Sequence, residues 1–136
     1  MRFPAARQGT GVSFQKVARR HGDFAIVGLA ASLTLSEGVI SDARLAFAGV
    51  SYVPVRDAAA EDLMVGERPS AELFDEAARR ATEDLDPPTD LHGSSDYRTT
   101  VAAALVRRGL GAAADNAPRE AVTDGGHHLE SQRCDV

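Results

Sequence analysis

Two runs of alternating apolar residues meet at Ser36-Glu37-Gly38, and this junction constrains the fold more than any other feature of the chain. In the first run, Phe24 to Leu35, residues Ala25, Val27, Leu29, Ala31, Leu33 and Leu35 share one wholly apolar face. The opposite face, Phe24, Ile26, Gly28, Ala30, Ser32 and Thr34, turns polar toward its end. In the second run Val39, Ala43, Leu45 and Phe47 point inward, against Asp42 and Arg44 outward. Successive side chains of a strand alternate between its faces, so both runs read as half-buried strands. Ala and Leu are good helix formers, but the glycine-containing turn and the second run argue for a hairpin over a helix. A two-stranded hairpin cannot bury its apolar face alone. The chain must supply a second layer.

That layer is helical. Val12-Ser13-Phe14-Gln15-Lys16-Val17 alternates as a short strand before the hairpin, and a short extended piece with Pro54, Val50 to Val55, follows it. Asp57 then caps a helix over residues 58–64 that stops at Gly66. Ser70 caps a second helix, whose Leu73, Phe74, Ala77, Ala78 and Ala81 form one stripe. Asp86-Pro87-Pro88-Thr89 breaks the chain, and Ser94 or Ser95 opens a third helix through Tyr97, Val101, Leu105 and Arg108, ending at Gly109 or Gly111. Strands first and helices after give an α+β fold: a small antiparallel sheet of three to four strands with three helices packed on one face. Residues 1–11 read as an irregular segment, 12–110 as the folded unit and 111–136 as a disordered tail.

Composition narrows the function. A chain of 136 residues with 43% hydrophobic but only 5% aromatic residues and no Trp is a single domain whose core is built from Ala, Val, Leu and Ile. Its longest apolar stretch, Phe24 to Ala31, falls far short of the about 20 residues a membrane-spanning helix needs. The N-terminus lacks the apolar core of a secretory signal, so the chain reads as cytoplasmic. Net charge is −5, yet residues 1–22 carry five basic groups and no acid, while 57–90 carry eleven acids and three arginines. Five cations without interleaved aromatics, on an acidic chain, do not make a nucleic-acid surface. They suit an acidic surface in the same domain or on another subunit. The single cysteine, Cys134, excludes a disulfide framework and any Cys-built metal site.

Few residues offer chemistry. His127-His128 with Asp124 and Glu130 has the residue types of a metal site but a glycine-flanked, aperiodic setting. His92 lies near Ser94, Ser95 and Asp96 without the turn that exposes a nucleophilic serine, and helix capping accounts for those three. Gly9-Thr10-Gly11 lacks the third glycine of a dinucleotide loop. The polar cluster Arg19-Arg20-His21-Gly22-Asp23 lies between two strands. On its residues alone it is either a loop presenting side chains to a ligand or a surface loop with an Arg–Asp pair worth under about 1 kcal/mol.

At this cluster the sequence resembles a known family. Phe14-Gln15-Lys16-Val17-Ala18-Arg19-Arg20-His21-Gly22-Asp23-Phe24-Ala25 is similar to the start of the C-terminal domain of the flavoprotein subunit of molybdenum hydroxylases. These are the medium chains of carbon monoxide dehydrogenases and the flavin portions of xanthine dehydrogenases and aldehyde oxidases. The similarity continues at Gly49-Val50, Pro54-Val55-Arg56, Ala60-Glu61, Asp90-Leu91-His92-Gly93-Ser94, Asp96-Tyr97-Arg98 and Leu105-Val106-Arg107-Arg108. The resemblance implies an antiparallel sheet backed by three helices. It also implies FAD held mainly by two upstream domains with glycine-rich loops, which residues 1–11 do not contain. Molybdopterin and iron–sulfur clusters would belong to partner subunits. It places Lys16, Arg19, Arg20 and Asp23 nearest the cofactor, where cationic groups favour negative charge on a flavin ring. It gives this chain no catalytic residue and no metal ligand, and leaves Asp96, Tyr97 and Arg98 to fix the third helix to the sheet. The chain would then be the C-terminal portion of a flavoprotein subunit, inactive alone, bordering FAD and helping to dock an electron-transfer complex. The alternative is a detached, cofactor-free interaction module.

Overall fold

The computed structural model describes residues 2, 5, 7–20, 22 and 24–118. Strands β1 (Thr10–Val17), β2 (Val27–Ser36), β3 (Val39–Ala48) and β4 (Val55–Arg56) form one antiparallel sheet in that order. Helices α1 (Ala58–Met64), α2 (Ala71–Glu83) and α3 (Ser95–Asn116) follow. The α+β order expected from the sequence is the order found.

The β2–β3 hairpin closes through Glu37 and Gly38, with φ of 55° and 76°. Positive φ at both central residues is the tight turn whose twist matches its flanking strands, and glycine takes it without steric cost. Beyond the turn the pairing slips: Leu35 faces Ile40 but Thr34 faces Asp42, leaving Ser41 as an extra residue. The Ser41 hydroxyl donates to the Thr34 carbonyl at 3.1 Å. This bulge corrects the expected alternation, because one inserted residue flips the phase of everything before it. Ile40, not Val39, joins Ala43, Leu45 and Phe47 in the core.

Two strand limits also differ from expectation. β1 begins at Thr10, whose hydroxyl meets that of Thr34 at 2.8 Å. β2 begins at Val27 rather than Phe24, since the Ile26 amide donates to the Val17 carbonyl at 2.7 Å and closes the connection between β1 and β2 there. Phe24, on that loop, is 99% exposed.

Asp57, Ser70 and Ser94 cap the three helices, each side chain accepting from the backbone amide three residues on. α3 lies over β1 and β2, α1 over β3, and α2 against α1 and α3. Val27, Leu29, Leu33, Leu45 and Phe47 meet Met64, Ala77, Ala78, Leu105, Val106 and Leu110 in one core. The buried Glu61 carboxylate accepts from the Leu45 amide at 2.9 Å and from Arg56 at 3.0 and 2.7 Å, tying α1 to β3 and β4.

The third helix does not stop at Gly109 or Gly111; it runs to Asn116. Here glycine marks close approach rather than an end. A Cβ on Gly109 would lie 2.8 Å from a Leu29 methyl, and one on Gly11 of β1 would collide with the Ala113 carbonyl and the Ala117 backbone. The helix therefore seats against the sheet, with Ala113 and Ala117 buried. Residues 111–116, read as the start of a tail, are helical. The rest of that tail, 119–136, with His127, His128, Asp124, Glu130 and Cys134, lies outside the described residues.

Candidate functional site

One end of the sheet gathers three connections: the β1–β2 loop, the β3–β4 loop and the segment leading into α3. Arg98, in the first turns of α3 and 5% exposed, joins them. Its Nη1 donates to the Ile26 carbonyl at 2.6 Å and to the Gly49 carbonyl at 2.9 Å. Its Nη2 lies 2.9 Å from both oxygens of Asp90. A planar guanidinium with five fixed donors can serve two carbonyls and a carboxylate at once, which a lysine cannot.

Asp90 in turn organises its own loop. Its Oδ1 accepts from the amides of His92 at 2.8 Å and Gly93 at 3.2 Å, while Asp90 and Gly93 also exchange backbone hydrogen bonds. The His92 amide, with the Arg98 guanidinium beside it, holds the Asp90 carboxyl below its usual range.

Beside this hub lies a cleft of about 250 Å³ lined by Arg19, Phe24, Ala25, Ile26, His92 and Arg98. The Arg98 Nε is buried without a hydrogen-bond partner. An exposed arginine and an exposed aromatic ring at its rim suit one edge of a planar, acceptor-rich ligand. The cleft lies below the ~300–1,000 Å³ of a pocket that engulfs a drug-sized molecule, so it cannot enclose a dinucleotide.

The residues expected near a cofactor are only partly united. Arg19 lines the cleft; Arg20 is exposed on the same loop. Lys16 is exposed on the outward face of β1, opposite Gly28, and is not among the cleft residues. Asp23 and His21 lie outside the described residues. Of the serines near His92, Ser94 uses its hydroxyl to cap α3, and the Ser95 backbone amide donates to Thr89 Oγ1 at 2.9 Å. No group of three His, Cys, Asp or Glu side chains able to hold a metal occurs among the described residues. Nor is any described helix long and apolar enough to cross a membrane. Of Asp96, Tyr97 and Arg98, expected to tie the third helix to the sheet, Arg98 makes the tie through hydrogen bonds. Sequence reasoning missed Phe24 and His92 as cleft residues and Asp90 as the partner of Arg98. The available signal was the Asp90–Arg98 spacing, which sets both at the mouth of one helix.

Residues 12–113 match the family model described as the CO dehydrogenase flavoprotein C-terminal domain. The chain is 37% identical over 108 residues to the 6-hydroxypseudooxynicotine dehydrogenase complex subunit alpha of Paenarthrobacter nicotinovorans, covering 79% of this chain and 36% of that protein. It is 34% identical over 113 residues to the carbon monoxide dehydrogenase medium chain of Hydrogenophaga pseudoflava, covering 83% and 39%. Among solved structures, a carbon monoxide dehydrogenase from Hydrogenophaga pseudoflava superposes with a TM-score of 0.81 at 35% identity, over 85% of this chain and 40% of that one. Quinoline 2-oxidoreductase from Pseudomonas putida 86 gives 0.74 at 36% identity, over 78% and 37%. The chain thus spans about two fifths of the length of the relatives it matches.

Proposed function

The chain belongs to the CO dehydrogenase flavoprotein C-terminal domain family, and from that premise we propose that it works as the C-terminal part of the FAD-carrying subunit of a cytoplasmic, molybdenum hydroxylase-type oxidoreductase. In this reading it borders the flavin without enclosing it. Molybdopterin, iron–sulfur clusters and the choice of substrate belong to partner subunits. The observation that carries the reading is the cleft at the sheet end, which Arg19 and Arg98 line together with the exposed Phe24.

FAD, when bound by the rest of the subunit, supplies the electron transfer. This chain's residues set its surroundings. Arg19 and Arg20 favour negative charge on a ring edge held near them, which raises the potential at which the ring accepts electrons. Asp23 and Lys16 complete the group of charged residues assigned to the cofactor's border. Asp90 and Arg98 keep the loop at a fixed distance from α3.

The test is a redox titration of the assembled flavoprotein carrying Arg19→Ala. A lowered flavin potential with an unchanged melting temperature is expected. For a two-electron couple, about 30 mV corresponds to 1.4 kcal/mol, so a modest electrostatic loss is measurable. An unchanged potential refutes the assignment of Arg19.

A further inference from the structure

The face of the sheet turned away from the helices carries two cross-strand rows with the same order of chemistry. The register sets Phe14 beside Ala30, Ala30 beside Ala46 and Ala46 beside Arg56; the next row on that face runs Val12, Ser32, Arg44. Each row starts with a large apolar side chain on β1, crosses small ones and ends in an arginine. Val12 and Phe14 are 62% and 66% exposed, and the two rows line a groove of about 470 Å³. Arg56 is fixed there, because its Nε and Nη2 donate to the buried Glu61 carboxylate at 3.0 and 2.7 Å. Arg44 reaches Asp42 through its Nε at 3.2 Å. Exposed apolar side chains gathered beside cations mark a contact surface, whereas scattered ones do not.

We propose that residues 119–136 of this same chain cover the groove, with Val122 against the apolar start of the rows and Asp124 against Arg44 and Arg56. The groove shares no residue with the cleft at the sheet end, so this inference stands apart from the flavin reading. The family match ends at residue 113, so the covering segment belongs to this chain rather than to the shared domain. Its point of departure selects it as the occupant. The Asn116 side-chain amide donates to the Val12 carbonyl at 3.1 Å, and the Ala117 backbone packs where a Cβ on Gly11 would collide. The chain therefore leaves α3 at the rim of the groove, on the strand that bears Val12 and Phe14. Neighbouring strands lie about 4.8 Å apart, which puts β3 and β4 about 10 and 14 Å from β1. An extended chain advances about 3.3 Å per residue, so Val122 and Asp124 reach up to about 13 and 20 Å beyond residue 118. Both can therefore reach their places. In Glu120-Ala121-Val122-Thr123-Asp124, Val122 and Asp124 fall on one side of an extended segment. Apolar residue first and acid second is the order of the rows they meet. The covalent tether makes the contact intramolecular, so a modest affinity suffices to close it.

The experiment uses the whole chain of 136 residues. A nitroxide is attached at Thr123→Cys in a Cys134→Ser background, on the side of the segment away from Val122 and Asp124, and amide signals are compared with the label oxidised and reduced. The Ala30, Ser32 and Ala46 amides are expected to fall below half their intensity when the label is oxidised. Those of Ala77 and Ala78 in α2, beyond the core, are expected to stay unchanged. Adding Val122→Asp and Asp124→Lys should abolish the effect, and a mixture of nitroxide-bearing chain with isotope-labelled chain lacking it should show none. Groove amides that keep their intensity, that weaken no more than those of α2, or that still weaken after the two substitutions overturn the proposal. Weakening in the mixture places a second copy on this face and overturns it as well.

Discussion

Replacing Arg98 with Met keeps most of the side-chain volume but removes every donor from the hub. The Ile26 and Gly49 carbonyls then lose the partners they hold at 2.6 and 2.9 Å. Leaving a buried polar group unsatisfied costs about 1–3 kcal/mol. Two carbonyls in this position, one of them on a half-buried glycine, give an expected loss of about 3 kcal/mol by the same measure. Asp90 adds little, because its side chain is 44% exposed and water can replace the guanidinium. Removing the unpartnered Nε returns part of the loss. A domain of this size has about 5–15 kcal/mol of stability, so the variant should remain folded.

Urea unfolding followed by far-ultraviolet circular dichroism at pH 7 measures the difference. With a slope of about 1–3 kcal/mol per molar urea, the midpoint should fall by roughly 1–3 M. Arg44→Met is the control, since Arg44 is exposed and paired only with Asp42 at 3.2 Å; surface pairs of this kind are worth about 1 kcal/mol or less. Native-state hydrogen exchange supplies a second readout: the His92 and Gly93 amides should lose protection in Arg98→Met and keep it in Arg44→Met. If Arg98→Met is no more destabilising than the control, the three connections are held by packing alone and the hub argument fails.

Asp90→Asn should destabilise more near neutral pH than in acid. The folded-state pKa of Asp90 is lowered, so its contribution is complete above the unfolded carboxyl value of about 3.9 and disappears as pH falls through the folded value. Melts of wild type and variant at pH 7 and pH 3 check this; a gap that widens in acid contradicts it. Gly11→Ala should destabilise by more than the few tenths of a kcal/mol typical of a surface change, because its Cβ would meet the α3 backbone rather than a movable side chain. A melting temperature equal to wild type would show that α3 does not seat there. The chain expressed alone should retain no FAD, since its cleft is too small for a dinucleotide; a stoichiometric flavin band after purification would refute that.

The sequence was most legible where structure is decided within a few residues. The Asp57, Ser70 and Ser94 caps are bonds to amides three positions away, and the Glu37–Gly38 turn needs only the backbone freedom of its own residues. Legibility ended where a partner strand or helix intervenes. The alternation of β3 is broken by the extra Ser41, and nothing within β3 says that β2 will pair around it. Gly109 and Gly111 look like stop signals in isolation. Gly109 instead faces Leu29, 80 positions earlier, where a side chain would hold the helix off the sheet.

The same distinction explains why the site was harder to read than the fold. Arg19 and Arg20 could be singled out because they adjoin in the chain, yet neighbours in sequence need not share a site: Arg19 lines the cleft and Arg20 does not. What completes the cleft comes from the α3 approach, through His92 and Arg98. Arg98 bonds to carbonyls 72 and 49 positions away, and a backbone carbonyl carries no residue-specific mark in a sequence. Its residue type still left one clue. An arginine sits near the start of α3, in a helix whose sheet-facing positions are Ala102, Leu105, Val106, Gly109 and Leu110. Burying a charge there requires that it be paired and hydrogen-bonded, so such a residue implies that several loops converge on it. The convergence fixes the geometry of the sheet end. The same residue that closes the core therefore also fixes the loops that carry the exposed Phe24, Tyr52 and Leu91.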